Sequence, residues 1–400
     1  MRGSYFDHNA TTPLDPEVRE AMLPWLGGEG GSSGPSSGGA SGRWGNPSSV
    51  HRFGQAAREA VENAREQVAR LIDCGTPEEI VFVASGTEAN NAVVASLLGE
   101  CAAGDRVVVS ALEHPSILAA ARMAAPRAGA AVVEVAPEED GVVSAAAMAS
   151  AAGPGTRLAA LMLANNELGT LQPVAELARR LQGSGVPLLC DAVQAVGKVA
   201  VSVQALGVDY LTLAAHKFHG PLGAAGLWIR GGAAFTPLLV GGAQERRRRA
   251  STVNVPAVVG FGAACAVAGR DLAARARHLS RLRDRFEAGV AEIPGARVHC
   301  AAAQRLPHTS HVAFPGLVGQ ELMIRLDLAG FAVSTGAACG SGTVQASPTL
   351  TAMRMPYDEA IASLRVSFGL PNTEAEVDAL LPALAEAVAT LRSPALRGTA

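Results

Sequence analysis

Seven short apolar runs divide the first 230 positions: Ile80–Val83, Arg106–Ser110, Ala131–Val135, Leu158–Leu163, Pro187–Cys190, Tyr210–Leu213 and Gly226–Ile229. Most are separated by stretches long enough to hold a helix, or by Gly/Pro turns. Strands alternating with helical patterns predict an α/β protein with a mainly parallel, helix-covered sheet. The clearest helix is Gln55–Ile72, where Ala57, Val61, Ala64, Val68 and Leu71 share one face and Gly75 lies beyond the end. After about Pro256 the pattern changes. Arg270–Val290 reads as a long charged helix, His311–Phe314 and Arg365–Phe368 read as strands, and Thr373-Glu-Ala-Glu376 is a capping-box signature opening the last helix. The division expected from this is a large domain over residues 15–256 and a smaller α/β domain made of residues 1–14 and 257–400.

One stretch, Gly27–Gly42, is low in complexity and cannot bury enough surface to order itself, which predicts a flexible excursion. A passive insertion accounts for it. Because it leads directly into Asn46-Pro-Ser-Ser-Val-His51, a gating role is the sharper reading, and deletion of residues 28–41 checks it through the kinetics.

The 400 residues are 48% hydrophobic but only 4% aromatic, so Ala, Val and Leu must build most of the core. A formal charge of −3 supplies no global attraction for nucleic acid or for anionic membranes. The chain opens without an apolar signal segment, and runs such as Leu158–Ala164 fall short of the roughly 20 residues that span a bilayer. Six cysteines, at 74, 101, 190, 265, 300 and 339, are spaced too irregularly for a disulfide framework or a CxxC metal site. These features predict a soluble protein of a reducing compartment, cytoplasmic, with no metal.

The chemistry concentrates where apolar runs end. Lys217 follows the run at Tyr210–Leu213, and Asp191-Ala-Val-Gln194 follows Val186–Cys190. An α/β protein presents its chemistry at the carboxyl ends of such strands. A lysine there can form a Schiff base with an aldehyde cofactor, and an aspartate can hold a pyridinium nitrogen, the protein's usual contribution to pyridoxal phosphate (PLP) chemistry. Ser85-Gly86-Thr87-Glu88 joins a strand to a helix start, and its N–H and hydroxyl groups suit a phosphate or simply cap the helix. His114, closing another run, either stacks on a ring or caps a loop. The pair Asn165-Asn166 offers amides for a carboxylate or a ring oxygen. Arg365, entering an apolar strand, needs a carboxylate, either a substrate's or an internal partner's. Cys339 lies in a Gly/Ala/Ser/Thr segment, small and polar rather than core-like, which predicts an exposed thiol on a mobile loop. The run Gln244-Glu-Arg-Arg-Arg-Arg249, isolated and without aromatics, reads as a solvated or phosphate-facing loop.

Taken in order, ten motifs resemble the cysteine desulfurases of the nitrogen-fixation and iron–sulfur-cluster type, within the class V aminotransferase group of PLP enzymes. They are Asp7-His-Asn-Ala-Thr-Thr-Pro13, Gly45-Asn-Pro-Ser-Ser-Val-His-Arg-Phe-Gly54, Gly86-Thr-Glu88, Glu113-His114 and Asn165-Asn-Glu-Leu-Gly169. The series continues with Asp191-Ala-Val-Gln194, His216-Lys217, Gly241-Gly-Ala-Gln-Glu-Arg246, Cys339 and Arg365-Val-Ser-Phe-Gly369. The resemblance implies a PLP-dependent transferase of fold type I with a seven-stranded, mainly parallel sheet. It also implies roles. Lys217 would hold pyridoxal 5'-phosphate and later move protons, Asp191 would pair with the ring nitrogen, Gln194 would bond the ring hydroxyl and His114 would stack on the ring. Gly86, Thr87 and His216 would hold the phosphate, with Thr252 contributing from the partner subunit of a homodimer. Asn166 and Arg365, helped by Asn46, would bind the carboxylate of L-cysteine, and Cys339 would be the nucleophile that becomes a persulfide. The sulfur would then pass to an acceptor protein such as an iron–sulfur scaffold or a sulfur carrier.

Three departures stand beside the resemblance. Ala214 occupies a position where the family usually has a serine hydroxyl on the phosphate. The segment after Cys339 reads Val344-Gln-Ala-Ser-Pro348 where the family favours Glu-Pro-Ser-His. The Gly/Ser insertion before Asn46 is also unusual. The alternatives are a selenocysteine lyase or another class V aminotransferase-type PLP enzyme, in which Cys339 would be dispensable, and a non-enzymatic scaffold on the same fold.

Overall fold

The computed structural model describes residues 3–27, 43–99, 101–335 and 345–393. Nearly all of the Gly27–Gly42 segment and all of the Gly336–Val344 segment, with Cys339, therefore lie outside the described residues.

All seven apolar runs become strands of one sheet, in the order Ile80–Val83, Ala225–Ile229, Tyr210–Ala214, Leu188–Asp191, Thr156–Ala160, Arg106–Ser110 and Ala131–Val135. Six run in the same direction and Ala225–Ile229 is antiparallel to both neighbours. The central strands are buried on both faces, which is why they read as continuous apolar runs rather than alternating ones. Two cores cover the faces. One contains Val108, Leu161, Cys190, Leu211 and Phe261, and the other contains Val107, Val109, Leu158, Leu189 and Tyr210.

The helix expected over Gln55–Ile72 runs from Arg52 to Leu71, with the His51 ring accepting the Gly54 N–H at its start. Its small-residue face packs on a 37-residue helix, Val255–Ala291. The approach is close: a Cβ at Gly262 would lie 2.6 Å from the Ala64 Cα, so only glycine fits there. The long helix is apolar enough over one window to suit a membrane, but half of that window is buried inside the protein, as in a core helix.

That helix starts well before Arg270 and loses helical geometry at Asp271, where φ is −119°. Up to Ala268 it contributes to the core beside the large sheet. From Leu279 onward, Leu282, Phe286 and Val290 join a third core with Phe6, Val312, Leu364, Phe368 and Leu380. The change of pattern after Pro256 thus falls inside a helical stretch that kinks at Asp271. The third core backs a three-stranded antiparallel sheet, ordered Ser363–Ser367, Thr309–Ala313 and Arg297–Val298. Two of these strands begin two residues earlier than the apolar runs suggested. The N-terminal Ser4–Tyr5 pairs in parallel with Phe331–Ala332, which brings the first residues against the C-terminal part. The last helix, Glu374–Arg392, opens on the expected capping box between Thr373 and Glu376.

Candidate active site

Five strands of the large sheet end on polar groups at the same edge, and a cavity of about 140 Å3 opens between them. Each wall follows from a local rule. Ile80–Val83 runs into Ser85, which caps the 13-residue helix Gly86–Leu98 by accepting the Glu88 N–H. The N–H groups of Gly86 and Thr87, in the first turn, have no acceptor within the helix and open on the cavity. A Cβ at Gly86 would sit 2.9 Å from the Val193 side chain, so glycine keeps this end open. Ala214 lines the same end, without the serine hydroxyl usual at this position, and Ser85 and Thr87 line it as well.

His114 takes the capping role, the second of its two alternatives, at a place on the cavity wall. Its Nδ1 caps the helix Pro115–Arg127 by accepting the Ser116 N–H at 3.1 Å, and its ring lines the cavity. One face opens on that space, yet the protein around the other side holds the imidazole below its ordinary pKa, with Asp191 opposing.

Asp191 closes its strand nearly buried, its Oδ2 accepting from Asn90 Nδ2 at 2.8 Å and its Oδ1 from the Val193 N–H at 2.9 Å. Asn90 is oriented in turn by Thr212, whose hydroxyl donates to Asn90 Oδ1 at 2.9 Å, and by a contact with Ser116 Oγ. Sequence reasoning passed over Asn90 and Ser116. Both sit inside helices, and only the fold brings Asn90 to the aspartate and Ser116 to Asn90. It also gave Glu113 no role of its own. This carboxyl is fully buried beside Asp191, and burial first, then the Asp191 charge, raises its pKa well above the usual range. It accepts the Met162 N–H.

Lys217 ends the short 3₁₀ turn Ala215–Lys217, which follows Tyr210–Ala214 directly. Its Nζ donates to the Asn9 carbonyl at 2.7 Å and to the Ala10 carbonyl at 2.8 Å. Burial, then the nearby Arg365 charge, lower its pKa to about 8. Neighbouring His216 also lines the cavity, its Nδ1 3.1 Å from Thr11 Oγ1, and burial takes its pKa to about 4. Gln194 lies across the cavity, donating from Nε2 to the Asn9 carbonyl.

The two asparagines separate. Asn165 is buried and builds the turn, its Oδ1 accepting the N–H groups of Glu167 and Leu168, whereas Asn166 lines the cavity. Arg365 reaches the rim from the small sheet and is 6% exposed. Its Nη1 donates to the Asn166 carbonyl at 3.0 Å and its Nη2 to Asp7 Oδ1 at 2.6 Å, while Nε has no partner among the described residues. The internal ion pair, one of the two readings of this arginine, is thus present.

Asn46 and Thr252 do not line the cavity. Asn46 is exposed, its Oδ1 holding the Ser48 N–H. Thr252 is exposed on the loop that follows the arginine run. That run is solvated in part, as expected: Arg246 and Arg247 are exposed, while Glu245 and Arg249 turn to partners in the protein. Glu245 is buried against Arg65 at 2.8 Å and accepts the Phe82 N–H, and Arg249 pairs with Glu88 at 2.8 Å. The chain reaches these partners by adopting positive φ at Glu245, Arg246 and Arg247 (45°, 54° and 64°), a tight course that burial of one carboxylate explains.

Cys339 lies outside the described residues, but both flanks of its segment are tied to the site. Ser334 exchanges backbone hydrogen bonds with Arg365. Downstream, the Ser347 and Thr349 hydroxyls donate to the buried Glu167 carboxylate of the Asn165–Gly169 turn.

A family described as "Aminotransferase class-V" matches residues 4–380. A protein of Cereibacter sphaeroides named cysteine desulfurase is 40% identical over 98% of this chain and 97% of its own length. One of Archaeoglobus fulgidus named cysteine desulfurase IscS 1 is 35% identical over 97% and 98%. A solved structure described as a NifS-like protein superposes with a TM-score of 0.87 at 32% identity, covering 97% of this chain and all of that one. With the family pattern running through almost every element that walls the cavity, this chain belongs to the class-V aminotransferase family.

Proposed function

We propose that this chain is a PLP-dependent cysteine desulfurase that converts L-cysteine to L-alanine and carries the sulfur as a persulfide on Cys339. The observation that carries the reading is the cavity itself. One lysine amine, one buried carboxylate and a helix N-terminus face a single space, on the strand ends of a sheet shared with a NifS-like protein. The class V group uses PLP on a fold-type-I scaffold, and the residues present fit that cofactor. The open N–H groups at Gly86 and Thr87 suit a phosphate, helped by His216. Asp191 suits a protonated ring nitrogen, Gln194 a ring oxygen and the open face of His114 the ring plane. When bound, PLP withdraws electrons from the substrate carbons and so eases both proton loss and C–S cleavage.

The chain's own groups do the rest. With its pKa near 8, Lys217 offers a neutral amine near physiological pH, able to join an aldehyde and to carry a proton to and from the substrate α-carbon. Arg365 and Asn166 hold the substrate carboxylate. The Cys339 thiolate attacks the substrate sulfur. An S–S bond forms as the Cβ–S bond breaks, the bonding electrons stay with carbon, and protons delivered by Lys217 and His114 complete alanine.

The division into residues 15–256 and residues 1–14 with 257–400 belongs to this reading. The cofactor groups come from the first unit and the carboxylate-binding Arg365 from the second. Sulfur leaving Cys339 goes to a protein thiol of iron–sulfur or thio-cofactor assembly, a role suited to the cytoplasm, where thiols stay reduced.

The purified chain, given L-cysteine and a reducing thiol, is expected to release sulfide and alanine in equal amounts. Cys339→Ser is expected to release neither while keeping the visible absorption of bound PLP. An equally active variant would sink the persulfide reading.

A homodimer is part of the same proposal. Leu238, Leu239 and Val240 are 43%, 41% and 84% exposed, and Leu239 is bonded through its backbone to Ala250, two residues before Thr252. An apolar strip beside the expected phosphate ligand suits a second copy that shares the site. The chain is expected to sediment as a pair, and mixing Lys217→Ala with Thr252→Ala chains to restore part of the activity. A monomer, or no complementation, would count against it.

A further inference from the structure

Lys198 has no part in the reactions above, yet it is only 5% exposed and no carboxylate among the described residues pairs with it. Its Nζ donates to Gln194 Oε1 at 2.8 Å. Charged and titratable groups surround it, and most are basic. Lys217 and Arg365 act on it, and His8, His216, His219 and His308 feel its charge. Burial, then these cations, push its pKa well below the ordinary lysine value, so it is not kept there to neutralise an acid.

What it does instead follows from the shape of an amide. The two ends of a glutamine side chain fill nearly the same space, and only their partners select one orientation. Gln194 meets a donor on one side, Lys198, and a pure acceptor on the other, the Asn9 carbonyl at 3.0 Å. Turning the amide over would set N–H against N–H and oxygen against oxygen. Asn9 is itself immobilised, its N–H on Ser367 Oγ and its Nδ2 on the Asn166 carbonyl and Thr309 Oγ1. The same Asn9 carbonyl receives the Lys217 amine at 2.7 Å. One carbonyl thus sets the distance between the amide and the reactive lysine.

We propose that Lys198 is a positioning residue: by holding the Gln194 amide in one orientation it keeps an N–H donor, not a carbonyl, turned toward the cofactor's ring oxygen beside Lys217. The inference rests on the PLP reading above. A donor there stabilises the anionic ring oxygen, which then draws less proton density onto the nitrogen that Lys217 contributes to the linkage. An amide free to turn loses that bias. The neighbouring groups that also set this pKa, namely Asp191, Asp7, Arg365, His114 and His216, are unchanged by the test.

The measurement is the pH midpoint of the visible absorption of the PLP-loaded protein, in the wild type, Lys198→Met, Gln194→Leu and the double variant. Lys198→Met is expected to raise the midpoint by about one pH unit, Gln194→Leu by a similar amount and the double variant by no more than either. A shift below about 0.3 unit in Lys198→Met, or full additivity in the double variant, would overturn the proposal, since the second result means that Lys198 acts through its own charge. Should Lys198→Met fail to fold, Lys198→Leu serves in the same comparison. A wild-type chain that takes up no PLP at all would bring down the cofactor reading itself, a result plainly different from a normal spectrum with an unmoved midpoint.

Discussion

Lys217→Ala is expected to lower sulfide and alanine formation by about 10³-fold or more, because a covalent anchor and a proton carrier are lost together. The wild-type amine docks on the carbonyls of Asn9 and Ala10, 2.7 and 2.8 Å away, and no other lysine lines the cavity. Borohydride reduction of the loaded wild type should leave the cofactor attached to the chain, and reduction of the variant should leave none. The pH dependence follows from the sign of the shift. Burial and Arg365 disfavour the charged amine, so its pKa falls to about 8, and only the neutral form has the lone pair that joins an aldehyde. The rate of cofactor capture should therefore rise with pH and level off above about 8. Variant turnover within tenfold of wild type would exclude Lys217 from both roles.

Glu245→Ala is expected to destabilise the fold by about 3–5 kcal/mol, the usual consequence of leaving one charge of a buried pair alone. Arg65 is 1% exposed, and its guanidinium meets both Glu245 oxygens, at 2.8 and 2.9 Å, along with the Ile80 carbonyl. Glu62, on the solvent side, also contacts Arg65 but is half-exposed and cannot replace the lost carboxylate. The loss extends to the sheet, since the Phe82 N–H also gives its hydrogen bond to Glu245. Urea unfolding of the purified variant reads the change, and a loss under about 1 kcal/mol would show that the pair is dispensable. The loop that Glu245 anchors leads to Thr252, so the same variant is expected to loosen the proposed dimer.

The strands and the polar residues at their ends were legible for one reason: a strand buried on both faces must be apolar throughout, so the first charged or amide group after it marks the sheet edge. Asp191 and Lys217 are of this kind, and His114 and Asn166 follow directly on the first such groups, Glu113 and Asn165. Residues that reach the cavity from within a helix gave no such signal. Asn90 and Ser116 look like ordinary helix polar positions until the Gly86 and Pro115 helices are packed side by side. The arginine run was legible only in part. Its composition is that of a solvated loop, and Arg246 and Arg247 are exposed, but Glu245 is buried by Arg65, 180 residues away in sequence.

By itself, the sequence determined the alternation of strand and helix, the seven strands, the capping box and the order of motifs that carry the family, because each depends on neighbours within a turn or two. Tertiary structure alone decided what depends on partners far along the chain. Asn9 and Asp7 arrive at Gln194, Lys217 and Arg365 only because Ser4–Tyr5 pairs with Phe331–Ala332. The helical stretch that kinks at Asp271, the raised pKa of Glu113 and the burial of Lys198 with no carboxylate partner among the described residues likewise follow from tertiary packing, which a linear pattern of residue types does not specify.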